Sequence, residues 1–537
     1  MRWLGNVSAQ AILSLCLGLS LTLAFAPFDY AYISLFSLTA FLILLMQTQH
    51  PKLIGFMFGF GWFGAGISWV HVSIAEFGGV PLIVSLFLMA LLVSYLALFV
   101  MLFSLIIHKL SSRYGYALPL ATAPVLWLAM ETLRSVLFTG FPWLSLGYSQ
   151  INTVLGQFAP IIGETGITTL LVILASCGAY IILLARSKTA YKLPPLIKYS
   201  AYSTLIIVFF SAWFAPHFIL NDRINTAQDK SFSVGIVQGN IEQSMRWVPE
   251  LDQPIMDKYL KLTDTLWQND VVIWPEAAVP KLESEAQPFL HQIDAQAYST
   301  NTGLITGIVN YDFGRDLILN QLITLGRKNA NLDQPQYHYG HNNRFAKHHL
   351  LPIGEFIPLE NWLRGLAPIF DLPMSSFTRG AYVQENLQAN GLWFVPAICF
   401  EIVFPRQIRA NITPQSNAII TVSNDAWFGD SHGPHQHMQI AQMRALEFGL
   451  PVIRVTNNGI TGMINHHGQI QSRLPQFTEG VLVDTVTTPT STTLYRQYGD
   501  TIPFGVALLW MLLILGLYFL QLQLQSNKRI SLSLIHI

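Results

Sequence analysis

Long apolar stretches separated by short polar connections make up the first part of the chain, and one more such stretch lies near its carboxyl end. A stretch of roughly 17 to 25 apolar residues is long enough to cross a lipid bilayer as a helix. The stretches that meet this length lie near residues 9–27, 30–47, 53–71, 81–108, 116–134, 163–185, 199–219 and 503–522. The pattern therefore predicts a polytopic membrane protein, with about eight spans, of which all but the last precede a more polar block.

In the polar block the pattern changes to short apolar runs that alternate with amphipathic segments. Runs typical of strands lie at 233–238, 271–274, 304–309, 392–399, 418–422, 452–456 and 481–486. Helical periodicity lies between them at 254–268, 285–299 and 435–449. Such alternation predicts a layered α/β domain, in which reactive side chains lie at strand ends and on the loops that follow.

Basic residues in the connections fall on one side of the predicted membrane, with Arg134 as the clear exception. The group comprises Arg2, Lys52, Lys109, Arg113, Arg186, Lys188, Lys192, Lys198, Lys528 and Arg529. By the positive-inside rule, both termini are cytoplasmic. We therefore expect residues 1–219 to form a membrane domain with seven spans, 220–495 an extracytoplasmic domain, and 496–537 a last span with a cytoplasmic tail. In a bacterium this places the α/β domain in the periplasm, attached to the inner membrane.

Composition supports a largely embedded chain, because 52% of its residues are apolar and only 11% are charged. Ordinary soluble domains carry about 25% charged residues. The formal net charge is zero, so the clustered Lys and Arg that nucleic-acid binding needs are not indicated. No Asp, Glu, Lys or Arg lies in the middle of a predicted span, whereas transporters usually carry ionisable groups there. An anchor or lipid-facing platform is favoured, with a transporter or receptor that has a ligand-binding outer domain as an alternative.

The loop between the fifth and sixth predicted spans is rich in aromatic residues, including Phe141, Trp143 and Tyr148. Aromatic residues at this depth mostly form an interfacial belt at the membrane surface. We therefore interpret them as belt residues, and the alternative is that they hold a lipid chain.

Cys399 is the only cysteine outside the apolar segments, because Cys16 and Cys177 lie within them. Three cysteines in 537 residues do not make a disulfide framework, so we expect Cys399 to be a free thiol. Two further stretches carry Glu276, after Trp-Pro, and Lys347, at the start of a segment rich in His, Pro and Gly. A thiol, a carboxylate and an ammonium group are the parts needed to form and discharge a thioester.

Each group has a place in such chemistry. A free cysteine has a pKa of about 8.5, so a base must take its proton at neutral pH, and Glu276 is the candidate. The ammonium of Lys347 would lower the thiol pKa and stabilise an oxyanion, together with the backbone N–H of Phe400. Glu355 and Glu401 could orient the lysine or hold the site. Each residue alone also fits an ordinary role in a core, loop or surface, so the hypothesis depends on the combination.

Three histidines, His432, His435 and His437, lie close together in the sequence. Imidazoles are common zinc ligands, but no cysteine or carboxylate at a fixed spacing accompanies these three. We predict neither a metal ion nor a cofactor.

Together the three candidate stretches resemble the Glu-Lys-Cys set of the nitrilase superfamily. The stretches are Trp274-Pro275-Glu276, Lys347 with 349–350 and 352–356, and Cys399-Phe400-Glu401. With the predicted spans on either side, the chain resembles the apolipoprotein N-acyltransferase family of bacteria. Further matching stretches lie at 25–29, 141–150, 237–240, 433–437, 444–447 and 456–459.

The resemblance implies an αββα sandwich for residues 220–495, with Glu276 as general base, Lys347 as oxyanion stabiliser and Cys399 as nucleophile, supported by Glu355 and Glu401. These assignments are carried over position by position. One departure from the family pattern is Phe400, where the family commonly has Tyr. Another family position, a tryptophan thought to lie near the site, matches Trp247.

The implied reaction is a two-step acyl transfer. The cysteine takes an acyl chain from a membrane phospholipid, expected to be phosphatidylethanolamine. The thioester then passes the chain to the free α-amino group of the diacylglyceryl-cysteine at the N-terminus of an apolipoprotein, the last step of bacterial lipoprotein maturation. A membrane-tethered amidase or nitrile hydrolase with the same three residues, in which water takes the acyl group, is the alternative enzyme.

Overall fold

The computed structural model describes residues 6–77, 81–186, 229–329, 334–351, 354–356 and 377–516. The predicted span near 199–219, the connections around it and the predicted cytoplasmic tail lie outside the described residues.

Apolar helices occupy the N-terminal region as the sequence predicts. They are α1 (Val7–Ser20), α2 (Tyr32–Gln47), α3 (Pro51–Gly66), α4 (Val70–Val72), α5 (Leu82–Tyr114), α6 (Ala117–Val136) and α7 (Ala159–Arg186). Close packing of α1 on α3 requires glycine, since a Cβ at Gly18 would lie 2.1 Å from the carbonyl oxygen of Phe58. Small residues at such crossings let membrane helices approach closely.

Length separates the clear spans from the shorter helices. In the described part of the chain, the helical segments long and apolar enough to cross a membrane are Val7–Ala24, Leu82–Tyr114, Ala117–Thr139 and Val154–Arg186. One more is added if Pro51–Gly66 and Val70–Glu76, bent by 63°, form a single span. Tyr32–Gln47 and Thr501–Gly516 are apolar but shorter. Each predicted span position within the described residues therefore holds an apolar helix, while the number of crossings stays a prediction.

Two sheets stack face to face in the C-terminal region. The strands of the first sheet are β1 (Lys230–Gln238), β2 (Val271–Ile273), β3 (Val279–Leu282), β4 (Gly303–Asp312), β5 (Leu317–Gly326), β6 (Arg344–Ala346) and β13 (Gly480–Thr488). Those of the second are β7 (Leu387–Ala389), β8 (Leu392–Ile398), β9 (Ser416–Ser423), β10 (Val452–Thr456), β11 (Gly462–Ile464) and β12 (Ile470–Arg473). The seven strands of the first sheet have the order β13-β1-β2-β4-β5-β6, with β3 paired to β4, and those of the second have the order β12-β11-β10-β9-β8-β7.

Helices cover the outer faces of both sheets. They are α8 (Asp252–Thr263), α9 (Gln287–Ser299), α10 (Pro405–Asn411), α11 (Gly433–Phe448) and α12 (Leu494–Tyr498), followed by the apolar α13 (Thr501–Gly516). Side chains from both sheets, such as Ile236 and Ile420, form one buried cluster between them. A second cluster packs α8 and α9 on the first sheet. The layers are helix, sheet, sheet, helix, which confirms the predicted αββα sandwich.

The α11 layer of the sandwich and the N-terminal helices share one apolar core. A single buried cluster includes Ile419 and Val452 of the second sheet, Met443 of α11, and Trp62 and Trp143 from the N-terminal region. The interpretation of the aromatic loop as a membrane belt is therefore wrong for Trp143 and Tyr148, which are only 1% and 2% exposed. These side chains pack within the protein at the junction of its two regions.

Candidate active site

Cys399 begins a sharp turn at the end of β8. The sequence predicts a strand through residue 399, but β8 ends at Ile398 and a 3₁₀ turn runs from Cys399 to Val403. The cysteine has φ of +53°, a backbone conformation that costs a non-glycine residue free energy and that clusters at functional sites. A parallel strand end followed by a strained turn places this residue at the edge of the sheet.

Glu401 holds the turn in place. Its carboxylate is 1% exposed and accepts hydrogen bonds from the backbone N–H of Ile398 (2.8 Å) and of His348 (2.8 Å), and from Nε2 of Gln407 (2.9 Å). Since His348 follows Lys347 directly, this one carboxylate ties the cysteine turn to the lysine segment. In this structure Glu401 supports both segments and does not contact the lysine side chain.

Glu276 follows β2 and is held at both oxygens. Oε1 accepts from Nδ2 of Asn320 (2.8 Å) and lies 3.4 Å from Nζ of Lys347, while Oε2 accepts from the backbone N–H of Asn424 (3.0 Å). The backbone beside it packs tightly, because a Cβ at Gly307 of β4 would lie 2.3 Å from the nitrogen of Ala277. The carboxylate is therefore oriented by donors from both sheets.

Lys347 lies between two carboxylates. Its side chain is 2% exposed, and Nζ lies 2.8 Å from Oε1 of Glu355 and 3.4 Å from Oε1 of Glu276. Burial opposes the positive charge, but the two carboxylates outweigh it, so the pKa of Lys347 is raised and the side chain is an ammonium group. Nδ2 of Asn320 donates to Glu276 and, at 3.3 Å, also to Glu355, which links the three charged groups.

The charges of Glu276 and Lys347 shift the pKa of the Cys399 thiol in opposite directions. Burial and then the negative charge of Glu276 raise the pKa of Cys399, whereas the ammonium of Lys347 lowers it, and the result is a pKa of about 12. The cysteine is therefore protonated at neutral pH and needs a base. The structure thus brings together the three residues that the sequence singled out from distant segments.

Phe400 packs against the N-terminal region, whereas Trp247 is partly exposed. The Phe400 ring stacks on Phe141 and Trp143, at centroid distances of 6.0 and 6.3 Å, so it faces the N-terminal region. Trp247 is 37% exposed, and among the described residues its indole makes no hydrogen bond or ring contact with the other candidates. Nη2 of its neighbour Arg246 donates to the backbone carbonyl of Glu276 at 3.1 Å, so this segment reaches the site through the Arg246 side chain.

The N-terminal region supplies an aromatic wall next to the cysteine turn. Nε1 of Trp143 and Nε1 of Trp69 both donate to Oε1 of Gln436, at 2.7 and 3.3 Å. The Trp69 ring also packs edge-on against Phe428 at 4.6 Å. With Phe400 stacked on Trp143, the wall joins both regions of the chain next to the cysteine turn.

A cavity of about 390 Å³ lies at the junction between the ends of α6 and α7 and residues 403–407. Its polar lining includes Glu131, Glu164, His349 and Arg406. The three candidate catalytic residues do not line it, so this cavity is separate from the cysteine site.

Several residues near the site were missed by the sequence analysis. Asn424 and Asp425 directly follow β9, so the rule that reactive groups lie at strand ends could have found them. Asn320 lies on β5, which the apolar pattern did not reveal. His432 and His437, considered for a metal, have protein partners: the Nε2 atoms lie 3.0 Å from the carbonyl oxygen of Gly66 and 3.2 Å from that of Cys399, respectively. Among the described residues, no group of three or more His, Cys, Asp or Glu could hold a metal ion.

Comparison with known proteins gives matches in both regions. A family model described as the apolipoprotein N-acyltransferase N-terminal domain matches residues 17–177, and the carbon-nitrogen hydrolase model matches residues 233–496. An apolipoprotein N-acyltransferase of Vibrio cholerae is 46% identical over 488 residues, covering 90% of this chain and 92% of the relative. Those of Vibrio parahaemolyticus and Photobacterium profundum are 43% and 41% identical. The former covers 92% of this chain and 95% of the relative, and the latter 94% of each.

Proposed function

Because the chain belongs to the apolipoprotein N-acyltransferase family, we propose that it moves an acyl chain from a membrane phospholipid to the N-terminal amino group of diacylated apolipoproteins. The chain is an acyltransferase with a carbon-nitrogen hydrolase domain. The observation that carries the proposal is the placement of Lys347 Nζ 3.4 Å from Glu276 Oε1, beside a Cys399 thiol whose pKa both side chains affect.

In the first step Cys399 Sγ attacks the ester carbonyl of the phospholipid, proposed to be phosphatidylethanolamine, while Glu276 takes the thiol proton. The ammonium of Lys347 stabilises the negative oxygen of the tetrahedral intermediate. When the C–O bond breaks, Glu276 returns the proton to the leaving oxygen and a lysophospholipid departs. A base is required here because a thiol with a pKa of about 12 is not ionised at neutral pH.

In the second step the free α-amino group of the acceptor attacks the thioester carbonyl. An α-amino group has a pKa of about 7.7–8.0, so part of it is neutral and nucleophilic near neutral pH. The C–S bond breaks as the amide forms, and Glu276 carries the amine proton back to the thiolate. Lys347 stabilises the oxyanion again. This order uses the same three residues twice and needs no cofactor.

Glu355 allows Lys347 to act as the oxyanion stabiliser while Glu276 acts as the base. It holds the closer contact with the ammonium, 2.8 Å against 3.4 Å for Glu276. Lys347 therefore stays charged and fixed while the Glu276 carboxylate is left as the base. Glu401 supports the turn, and Phe400 contributes its ring to the aromatic wall and, by our proposal, its N–H to the oxyanion.

The placement in the membrane is part of the proposal. We propose that residues 1–219 form the membrane domain, that 220–495 form a periplasmic catalytic domain, and that 496–537 return the chain to the cytoplasm, in the bacterial inner membrane. The long apolar helices and the shared core of α11 with the N-terminal region support it. Both substrates are lipids, so lateral diffusion brings them to the site without extraction into water.

The test is a transfer assay with the purified full chain in lipid nanodiscs containing phosphatidylethanolamine. A diacylated lipopeptide is added, and its mass is followed. We expect a gain of one acyl chain, lost in Cys399→Ala and retained in the matched control Cys177→Ala, since Cys177 lies on α7 away from the site. Release of free fatty acid with no lipopeptide product would instead support the tethered hydrolase. Full transfer by Cys399→Ala would refute the thioester.

A further inference from the structure

A buried imidazole contacts the backbone of the strained cysteine turn. Nε2 of His437, on α11, lies 3.2 Å from the carbonyl oxygen of Cys399. The His437 side chain is fully buried, and the cysteine has a φ of +53°. Because a residue in this conformation persists only where its surroundings fix it, a hydrogen bond to its own carbonyl bears directly on where Sγ points.

The contacts on both sides of the ring are consistent with one neutral tautomer. The carbonyl oxygen of Cys399 can only accept, so Nε2 carries the ring proton and donates it. In the neutral ring Nδ1 is then an acceptor, and it lies 3.1 Å from Nη2 of Arg454, which can only donate. Burial and the Arg454 charge lower the pKa of His437, in agreement with a neutral ring.

Asp425 completes the arrangement. Its Oδ2 accepts from Nη2 of Arg454 at 2.5 Å, and its Oδ1 accepts from the hydroxyl of Ser423 at 2.6 Å. Oδ1 also lies 3.3 Å from Nδ1 of His437. Without Arg454, this carboxylate would draw the ring proton to Nδ1 and leave Nε2 as an acceptor facing the carbonyl oxygen of Cys399. Arg454 therefore keeps the proton on the side of the nucleophile.

We infer that His437 is a positioning residue for acyl transfer, whose Nε2–H holds the Cys399 carbonyl and thereby aims the thiol, with Arg454 and Asp425 setting its tautomer. The inference rests on the proposed function. The competing explanation is packing alone, since the ring packs against both Trp143 and Phe428, at centroid distances of 5.4 and 6.0 Å. A packing role depends on side-chain volume, whereas the positioning role depends on a donor at one place.

Two amide substitutions separate these explanations. In His437→Gln the amide nitrogen can reach the place of Nε2 and still donate to Cys399. In His437→Asn the shorter side chain places its amide near the position of Nδ1, short of that carbonyl. The readouts are the single-turnover rate of thioester formation from phosphatidylethanolamine, the KM for this lipid, and the thermal unfolding midpoint.

We expect His437→Asn to slow thioester formation by about 10²-fold, the scale of a misplaced reacting group, with the KM little changed. His437→Gln is expected to recover most of the rate at a similar unfolding midpoint. Equal rates for the two variants, or a normal rate in His437→Asn, would overturn the inference. Thioester formation by the unaltered protein is the internal reference. If the unaltered protein forms no thioester, the proposed function is refuted; if it forms one, the variants test this inference by itself.

A second pair of variants tests the tautomer if the histidine variants do not fold. Arg454→Met is expected to slow thioester formation without raising the KM, because the ring proton moves to Nδ1. Adding Asp425→Leu removes the acceptor that draws the proton and also avoids an unpaired buried charge, so the rate is expected to recover. No recovery in the folded double variant would overturn the assignment.

Discussion

The negative charge of Glu276 raises the pKa of Cys399, which opposes the role of general base that we propose for Glu276. Burial and this charge raise the pKa of Cys399 to about 12, so at pH 8 only about one thiol in 10⁴ is ionised. Glu276→Gln keeps the size of the side chain and removes the charge, so the pKa of Cys399 falls. A neighbouring charge typically changes a pKa by about one to three units, which means about 10- to 1,000-fold more thiolate at the same pH.

The assay is the rate of carboxamidomethylation by iodoacetamide at pH 8, measured by intact mass in a Cys16→Ser/Cys177→Ser background. Thiolate is the reactive form, so Glu276→Gln is expected to react faster than its parent although it no longer transfers acyl chains. Lys347→Met is the matched control of opposite sign, because loss of the ammonium raises the pKa of Cys399 and slows alkylation. This electrostatic account would be refuted if the alkylation rate of the parent protein stopped rising with pH near pH 7, or if Glu276→Gln were alkylated more slowly than its parent.

Three further predictions concern the support of the site. Arg454→Met leaves the carboxylate of Asp425 buried and unpaired, so the free energy of unfolding of the sandwich should fall by about 3–5 kcal/mol; denaturant titration measures this, and no loss would contradict the burial of the pair. Gly307→Ala places a methyl group 2.3 Å from the nitrogen of Ala277, next to the proposed base Glu276, so kcat/KM should fall by about 10²-fold; an unaffected rate would show that the backbone there yields easily. Gln436→Leu leaves the two buried indole N–H groups of the aromatic wall without their acceptor, at a cost of about 1–3 kcal/mol each, and an unchanged thermal unfolding midpoint would argue against these two hydrogen bonds.

Most of the strands that the sequence predicted are largely buried, whereas β13 at the edge of its sheet has mostly half-buried and exposed positions. β2, β4, β9 and β10 are near-continuous apolar runs because helices cover one face of each sheet and the opposite sheet covers the other. β5 was missed because Asn320 and Gln321 interrupt its apolar run. Both polar side chains are buried, and Asn320 donates a hydrogen bond to Glu276. A residue that interrupts the apolar pattern of this strand is therefore also one that supports Glu276.

Sequence reasoning singled out Glu276 and Cys399 from their position at the ends of apolar runs and Lys347 from its segment rich in His, Pro and Gly, and the family motifs joined the three. It could not find the contacts that position them, because these come from segments brought together only by folding, such as His437 on α11 and the Cys399 turn. Nor could it distinguish an aromatic residue that faces lipid from one that faces protein. Trp143 was interpreted as a belt residue, and its indole N–H is in fact taken up by Gln436 of the sandwich.

The most direct test of the central proposal is the intact mass of the detergent-purified protein after incubation with phosphatidylethanolamine alone, with no acceptor present. The account predicts an added mass of one acyl chain that is labile to hydroxylamine, absent in Cys399→Ala, and discharged when a diacylated lipopeptide is added. No adduct in a folded protein offered several phospholipids would contradict the thioester, and with it the acyl transfer proposed here.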